Sequence, residues 1–389
     1  MLEVDEHSEI LACPSCRARL HLRSTVIACE QCGATFPFSE EEIPLLFCPN
    51  EGWTNRKDVT DVVKAFYEQY PFPNYDDLDS RESLAEKASR GLFARLLDEQ
   101  IPVGSLVLDV ACGTGQMTNF LGQSWKRKVI GADLCLNSLR LGKQFRDRYG
   151  INNAGFLQMN LFRPCFQDNT FDVVICNGGL HHTGDPLGGF RAIGRLVKPG
   201  GVILIGLYNQ IGRLPTDFRR WIFRTMGDGF GFLDDHMRNK KYNAARKQSW
   251  FMDQYKHPHE SKHTFSETLK WFDSNGFEFL SSIPKIVSEA FKADEKLFEP
   301  HSRGTVLTRF LAELEMLLKG GVDGGLFIVI GRRTAPERIE VPISSGRLPD
   351  SASDGVTWSQ GGSRAGRSTA PSRSRFRADI AMRSGRFPS

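Results

Sequence analysis

The chain has 389 residues, 40% hydrophobic and 25% charged, proportions of a globular protein with room for two or three domains. No apolar run approaches the roughly 18 residues that span a bilayer, and the acidic start MLEVDEHSEI has no apolar signal core, so neither a membrane span nor a secretory leader is expected, and the predicted location is the cytoplasm. The formal net charge of +4 is carried by Pro336 to Ser389, with nine Arg against five acids; the neutral remainder argues against tight, sequence-independent nucleic-acid binding, which needs Lys and Arg to neutralise phosphates.

Residues 1–50 hold the first element. Cys13, Cys16, Cys29 and Cys32 read C-x2-C-x12-C-x2-C. Each pair predicts a tight turn aiming two thiolates at one metal, and two such turns complete a closed, tetrahedral zinc site. Four protein ligands leave no open position, so this zinc would be structural and would supply much of the folding energy of so small a module. Cys48, Cys112, Cys135, Cys165 and Cys176 are scattered, mostly in apolar surroundings, and read as small buried hydrophobes. With its continuation ATFPFSEEEIPLLF, the segment from Leu11 to Phe47 resembles the zinc-ribbon proteins that act as activator subunits of RNA and protein methyltransferases. The resemblance implies a docking surface for a protein partner rather than a reaction.

Residues 51–104 predict helices interrupted at PFPNY, a linker or lid. From residue 105 the pattern changes to short buried strands (LVLDV, KVIGAD, GFLQMN, FDVVICN, GVILIGLYN) alternating with helical segments. That alternation predicts a doubly wound α/β fold with a mostly parallel sheet. It runs to about residue 335, with insertions at about 210–262 and 285–320. Thr264 and Glu267 form a capping box opening a helix, which Gly276 can stop. Residues 336–389, rich in Ser, Gly, Arg and Pro, read as a disordered tail.

The run LVLDVACGTGQ is a strand ending in an acid, then a turn of small residues at Ala111, Gly113 and Gly115, then a helix. Small residues let the backbone turn sharply and approach a ligand closely. A dinucleotide site wants G-x-G-x-x-G with a pyrophosphate on the helix N-terminus; here Thr118 takes the third position. A carboxylate at Asp109 repels a pyrophosphate and suits a phosphate-free ligand bearing ammonium and sulfonium charges, as S-adenosylmethionine does. Asp133, tipping the next strand, can accept both ribose hydroxyls.

These residues are similar to the Rossmann-like, class I methyltransferase family, and the resemblance runs from about Val107 to Arg332. It implies a seven-stranded sheet and a cofactor site built from Asp109, Ala111, Gly113, Gly115, Asp133 with Leu134, Asn160 with Leu161, and Asn177. Asn160 stands where the family usually carries an adenine-contacting Asp; its amide oxygen can still accept from the adenine amino group. LVKPGG (Leu196–Gly201) resembles the turn before the fifth strand.

Methyl transfer needs mainly positioning and a dry pocket, with a base only where the acceptor loses a proton. His181 and His182 follow the fourth strand, where one can serve as base or merely pack the loop. Tyr208 and Asn209 follow the fifth. Tyr67 and Tyr70 can close over the cofactor or pack within a helix. His257 and His259 lie in a polar loop, DQYKHPHE (residues 253–260), that faces either substrate or solvent. His259 to His263 reads H-E-x-x-H, but Pro258 ahead of it and the helix start at Thr264 put it in a loop, away from the helical geometry of a zinc protease. Arg213, Arg219, Arg220 and Arg224, interleaved with Phe218, Trp221 and Phe223, read as a basic face for RNA or an acidic substrate, or as an amphipathic helix packed on the body. The expected function is a S-adenosylmethionine-dependent methyltransferase of a small metabolite. Asn177-Gly178-Gly179-Leu180 departs from the N-P-P-Y motif of amino-group methylation, which disfavours the alternative of an RNA methyltransferase. A non-catalytic scaffold docking a partner through the ribbon is the third reading.

Overall fold

The computed structural model describes residues 8–334, apart from residues 24, 51–57, 74, 76–78, 91, 241, 288–291, 293 and 320–321. The expected disordered tail, 336–389, lies outside the described residues. No helix among the described residues is long and apolar enough to cross a membrane.

Near the N-terminus, β1 (Leu20–Arg23), β2 (Val26–Cys29) and β3 (Thr35–Pro37) form an antiparallel sheet in that order. A module this small cannot close its own core. Leu11, Leu20 and Ile27 therefore join the apolar cluster of the main sheet, and Arg17 donates to the carbonyl oxygens of Pro164 and Phe166.

The main sheet has seven strands: β4 (Ser105–Val110), β5 (Arg127–Asp133), β6 (Ala154–Gln158), β7 (Phe171–Asn177), β8 (Val197–Tyr208), β9 (Phe277–Ile283) and β10 (Leu326–Arg333). Their order is β6-β5-β4-β7-β8-β10-β9, and β10 runs antiparallel to β8 and β9 while the other pairs are parallel. This is the doubly wound, Rossmann-like, mostly parallel sheet that the alternation predicts. Neighbouring strand residues feed opposite faces: Leu108, Val174 and Ile203 lie in one core, Val107, Val173 and Val202 in the other, the period-two signature of a sheet covered on both sides. Lys198 to Gly201 sit within the start of β8 rather than before it, where the pairing with β7 shifts register. At the outer edge of β6, Leu45 of the cysteine module pairs in parallel with Gln158, whose N–H donates to the Pro44 carbonyl at 2.9 Å.

Chain order reverses between β4 and β7, so a crevice opens beyond their carboxyl ends, where open α/β sheets bind ligands. Two segments cover it. The first contains α1 (Thr60–Gln69), ended by Pro71 and Pro73, which cannot continue a helix. The second is the insertion after β8, with α2 (Leu214–Met226), α3 (Ala244–Phe251) and a five-residue π-helical turn, Met252–Lys256. Such turns swing side chains off the regular helical path and recur at functional sites.

Of the two readings of the arginines around α2, packing on the body holds for Arg213 and Arg220. Arg213 is fully buried and Arg220 partly so, and both guanidiniums grip the Glu260 carboxylate with paired contacts. The outer surface of α2 carries Phe218 and Trp221 together with Arg224, while Phe223 is buried. Thr264 caps the helix Phe265–Ser274 by accepting from the Glu267 N–H, but the Glu267 carboxylate turns to His263 instead of completing the box.

Candidate active site

After β4 the backbone enters the left-handed region three times, at Ala111 (φ 54°), Gly113 (φ 55°) and Gly115 (φ 72°). Ala111 pays the usual steric cost of a side chain there, which structures tolerate mainly at functional sites. Gly115 serves as N-cap of the helix Gln116–Gly122, and a Cβ on it would run into the Phe156 ring.

Two carboxylates flank this turn. Asp109 is 3% exposed and accepts from the Thr118 hydroxyl at 2.7 Å; burial, reinforced by the nearby Asp133 charge and opposed by the Thr118 bond, pushes it up to about 7. Asp133 accepts from the N–H groups of Gly113 (2.9 Å) and Cys135 (2.8 Å); burial pushes it up to about 6 against those bonds. Neither is paired with a cationic side chain among the described residues. Two buried, unpaired carboxylates predict an affinity for positive charge and for hydrogen-bond donors.

Both line a cavity of about 530 Å³, together with Ala111, Gly113, Leu134, Leu161 and Asn177. The segment after α1 straps over the turn: the Thr114 hydroxyl donates to the Pro73 carbonyl, and Phe72 and Pro73 form part of the wall. The far end is lined by Tyr67, His182, Tyr208, Asp253 and Gln254 among apolar residues that include Phe93, Trp250 and Ile328.

The polar groups at this end are bound to one another. Tyr67 donates to Asp253 at 2.8 Å, and Gln254 donates to Asp253 at 2.8 Å and to Tyr208 at 2.9 Å. The Gln254 oxygen accepts from Arg213, whose guanidinium also stacks on the Tyr208 ring, 3.6 Å from its centre. The His182 Nδ1 lies 3.0 Å from the His259 carbonyl oxygen. A carbonyl only accepts, so Nδ1 carries the proton and Nε2 keeps a lone pair. Burial pushes His182 down to about 4 and His257, whose ring centre is 3.8 Å away, down to about 3, so both are neutral near pH 7.

Several expected site residues lie elsewhere. Asn160 does not reach the cavity: its amide donates to the Cys48 carbonyl and to Asn50, both at 2.8 Å, and its oxygen accepts from the Phe162 N–H. It ties the cysteine module to the sheet. His181 is fully buried behind His182 and Tyr208, and neither ring nitrogen has a hydrogen-bond partner. Asn209 accepts from the N–H groups of Ile211 and Gly212, a turn-forming role. Tyr70 ends α1 outside the lining. His257 and His259 stand behind His182, His259 contacting the Thr183 carbonyl at 3.0 Å. Cys112 and Trp250 line the cavity without having been expected there; Asp253 and Gln254, the first residues of the polar stretch DQYKHPHE, line it, while its two histidines do not.

A second site lies in the cysteine module. Arg17 (φ 70°) and Gly33 (φ 73°) each follow a Cys pair in the left-handed conformation, and each N–H bonds back to the first cysteine's carbonyl, at 2.8 and 3.0 Å. The two matched turns bring Cys13 Sγ within 3.7 Å of Cys32 Sγ and Cys16 Sγ within 3.4 Å of Cys29 Sγ, all four sulfurs lying within 4.8 Å of one another.

Residues 107–201 match the family described as a methyltransferase domain. An uncharacterized protein of Synechococcus sp. is 25% identical over 255 residues, 57% of this chain and 60% of that protein. A demethylmenaquinone methyltransferase of Bacillus cereus is 35% identical over 133 residues, 33% of this chain and 55% of that enzyme. The chain thus spans somewhat over half the length of these relatives. Among solved structures, PKMT2 from Rickettsia typhi in complex with AdoHcy is similar with a TM-score of 0.44 at 16% identity, covering 64% of this chain and 53% of that one.

Proposed function

We propose that the protein is a S-adenosylmethionine-dependent methyltransferase acting on a small, largely apolar molecule. The observation that carries the reading is the pair of buried, cation-free carboxylates, Asp109 and Asp133, tipping adjacent strands around one glycine turn and one cavity. Such a pair repels a dinucleotide pyrophosphate and suits a cationic, ribose-bearing ligand. Asp133 would take the ribose hydroxyls, Leu134 and Leu161 would flank the base, and Asp109 and Asn177 would face the amino-acid portion. Asn160 is withdrawn from this set, since its amide is already satisfied. Bound S-adenosylmethionine would supply an activated methyl group. An acceptor that must lose a proton would meet two proton-accepting groups in this lining, the unprotonated His182 Nε2 and the Asp253 carboxylate.

The mostly apolar lining of the cavity supports a small-molecule acceptor over RNA, in keeping with the demethylmenaquinone methyltransferase relative. We read residues 1–50 as a zinc ribbon, 51–104 as the lid and 105–335 as the catalytic domain. The sulfur separations fit a tetrahedron with Zn–S bonds of about 2.3 Å, whose edge is about 3.8 Å. The exposed side of the ribbon is where a protein partner would dock.

Calorimetric titration of S-adenosylmethionine into the full chain tests the cofactor assignment: saturable binding lost in Asp133→Ala is expected, and no binding by the unmodified protein would overturn it. Incubation with methyl-labelled S-adenosylmethionine and separated small-molecule and RNA fractions of a cell extract tests the acceptor class; label in RNA alone would reverse it.

A further inference from the structure

Resting on the reading of the cavity as acceptor site, we propose that Asp253 selects the acceptor, taking a hydrogen bond from an uncharged aromatic hydroxyl and rejecting anionic analogues.

The argument starts from hydrogen-bond capacity. Gln254 has no donor left to offer: its two N–H groups serve Asp253 and Tyr208, and its oxygen accepts from Arg213. Tyr67 spends its one hydrogen on Asp253. Each Asp253 oxygen accepts one of these bonds and retains a second acceptor position, and the residue lines the cavity at 2% exposure. His182 Nε2 adds another lone pair. What remains on offer to a ligand is mostly hydrogen-bond acceptors, and the fitting partner is a donor.

Charge narrows the choice. The guanidiniums behind this wall, Arg213 and Arg220, are both held by Glu260, so neither is free to neutralise a carboxylate or phosphate. Beside a buried carboxylate an anionic ligand meets repulsion that water screens poorly. A hydroxyl donates to Asp253 without adding charge. The Tyr67 ring at Asp253, with Trp250 and Phe93 elsewhere in the same lining, favours a planar aromatic body. Methylation of such a hydroxyl forms an oxygen–carbon bond and breaks the donor's carbon–sulfur bond. The sulfur keeps the electron pair, and the released proton passes to the Asp253 carboxylate that already holds it by a hydrogen bond, and on to solvent.

The test uses the full chain saturated with S-adenosylhomocysteine, with 1-naphthol and its carboxylate counterpart 1-naphthoate as calorimetric probes. The unmodified protein should bind 1-naphthol at least about tenfold more tightly than 1-naphthoate, and Asp253→Asn should erase that preference. Tyr67→Phe should weaken 1-naphthol binding and give 1-naphthoate no gain, which keeps the proposal testable if Asp253→Asn does not fold. A preference unchanged in Asp253→Asn, or an unmodified protein that binds neither probe or favours 1-naphthoate, overturns the role of Asp253. If S-adenosylhomocysteine still binds, the cofactor site stands regardless; if it does not, the underlying reading falls as well.

Discussion

Gly113 and Phe72 approach so closely that a Cβ added to the glycine would lie 2.3 Å from the Phe72 carbonyl oxygen. The strap can therefore close over the turn only while position 113 has no side chain. Gly113→Ala should weaken S-adenosylmethionine binding by at least about tenfold through clash and left-handed strain together. Gly104→Ala, at φ 84° with nothing within 4 Å, is the control, with strain alone and affinity unchanged. Equal binding by both variants, measured by calorimetry, would contradict the strap's closeness to the site.

Cofactor affinity should depend on pH through Asp109. Burial raises its carboxyl to about 7, and a cationic ligand binds the ionised form. Affinity should therefore climb from pH 6 to pH 8, by about tenfold if the carboxylate alone limits binding. Asp109→Asn should bind weakly at every pH with no such slope. A flat profile in the unmodified protein would remove Asp109 from the cationic end of the site.

Acid should act on the imidazoles in the opposite sense. His182 titrates at about 4 and His257 at about 3 in the folded chain, against 6.5 unexposed to such burial. The unfolded state binds protons more readily, so these groups cost nothing above about 6.5, and stability is lost as pH falls from there toward 4. For His182 the loss is on the order of 3 kcal/mol. Asp109 and Asp133, raised in the fold, oppose this over the same range, so the comparison is between proteins. A His182→Gln/His257→Gln double variant should resist urea better than the unmodified chain at pH 4.5, relative to pH 7.5.

Glu260 bonds to two guanidiniums, and Glu260→Ala leaves Arg213 buried without its carboxylate partner. The expected loss is about 3–5 kcal/mol, read as a lowered urea midpoint. A change under 1 kcal/mol would mean that the insertion tolerates the bare charge.

Metal analysis should find about one zinc per chain, lost in Cys29→Ser. A metal-free protein with unchanged stability would leave the four thiols as a cluster without a guest.

The sheet and the glycine turn were legible because local patterns encode them: β-branched runs set the strands, and a strand-terminal acid before small residues sets the turn. Asp109, Gly113 and Asp133 reach one cavity because successive β-α units place strand tips side by side. The far end was legible in part. Tyr67, His182, Tyr208 and the polar stretch from Asp253 could be read as candidates, but not that Tyr67 meets Asp253 across 186 positions, nor that Arg213 is the most deeply enclosed charge in the insertion. Sequence spacing carries no record of an arginine turning inward to a distant Glu260. Asn160 shows a third case: its place on the third strand was readable, but its bonds to Cys48 and Asn50 required the fold.

The pairing of Leu45 with Gln158 has one more consequence. β6 is an outermost strand, and an unpaired outermost strand is a template for another chain's backbone. The cysteine module supplies main chain along that border, so its removal exposes an adhesive margin rather than an altered pocket. Loss of the module's fold, as in Cys29→Ser, should first appear as self-association, visible as rising light scattering, before any change at the glycine turn on the opposite side of β5.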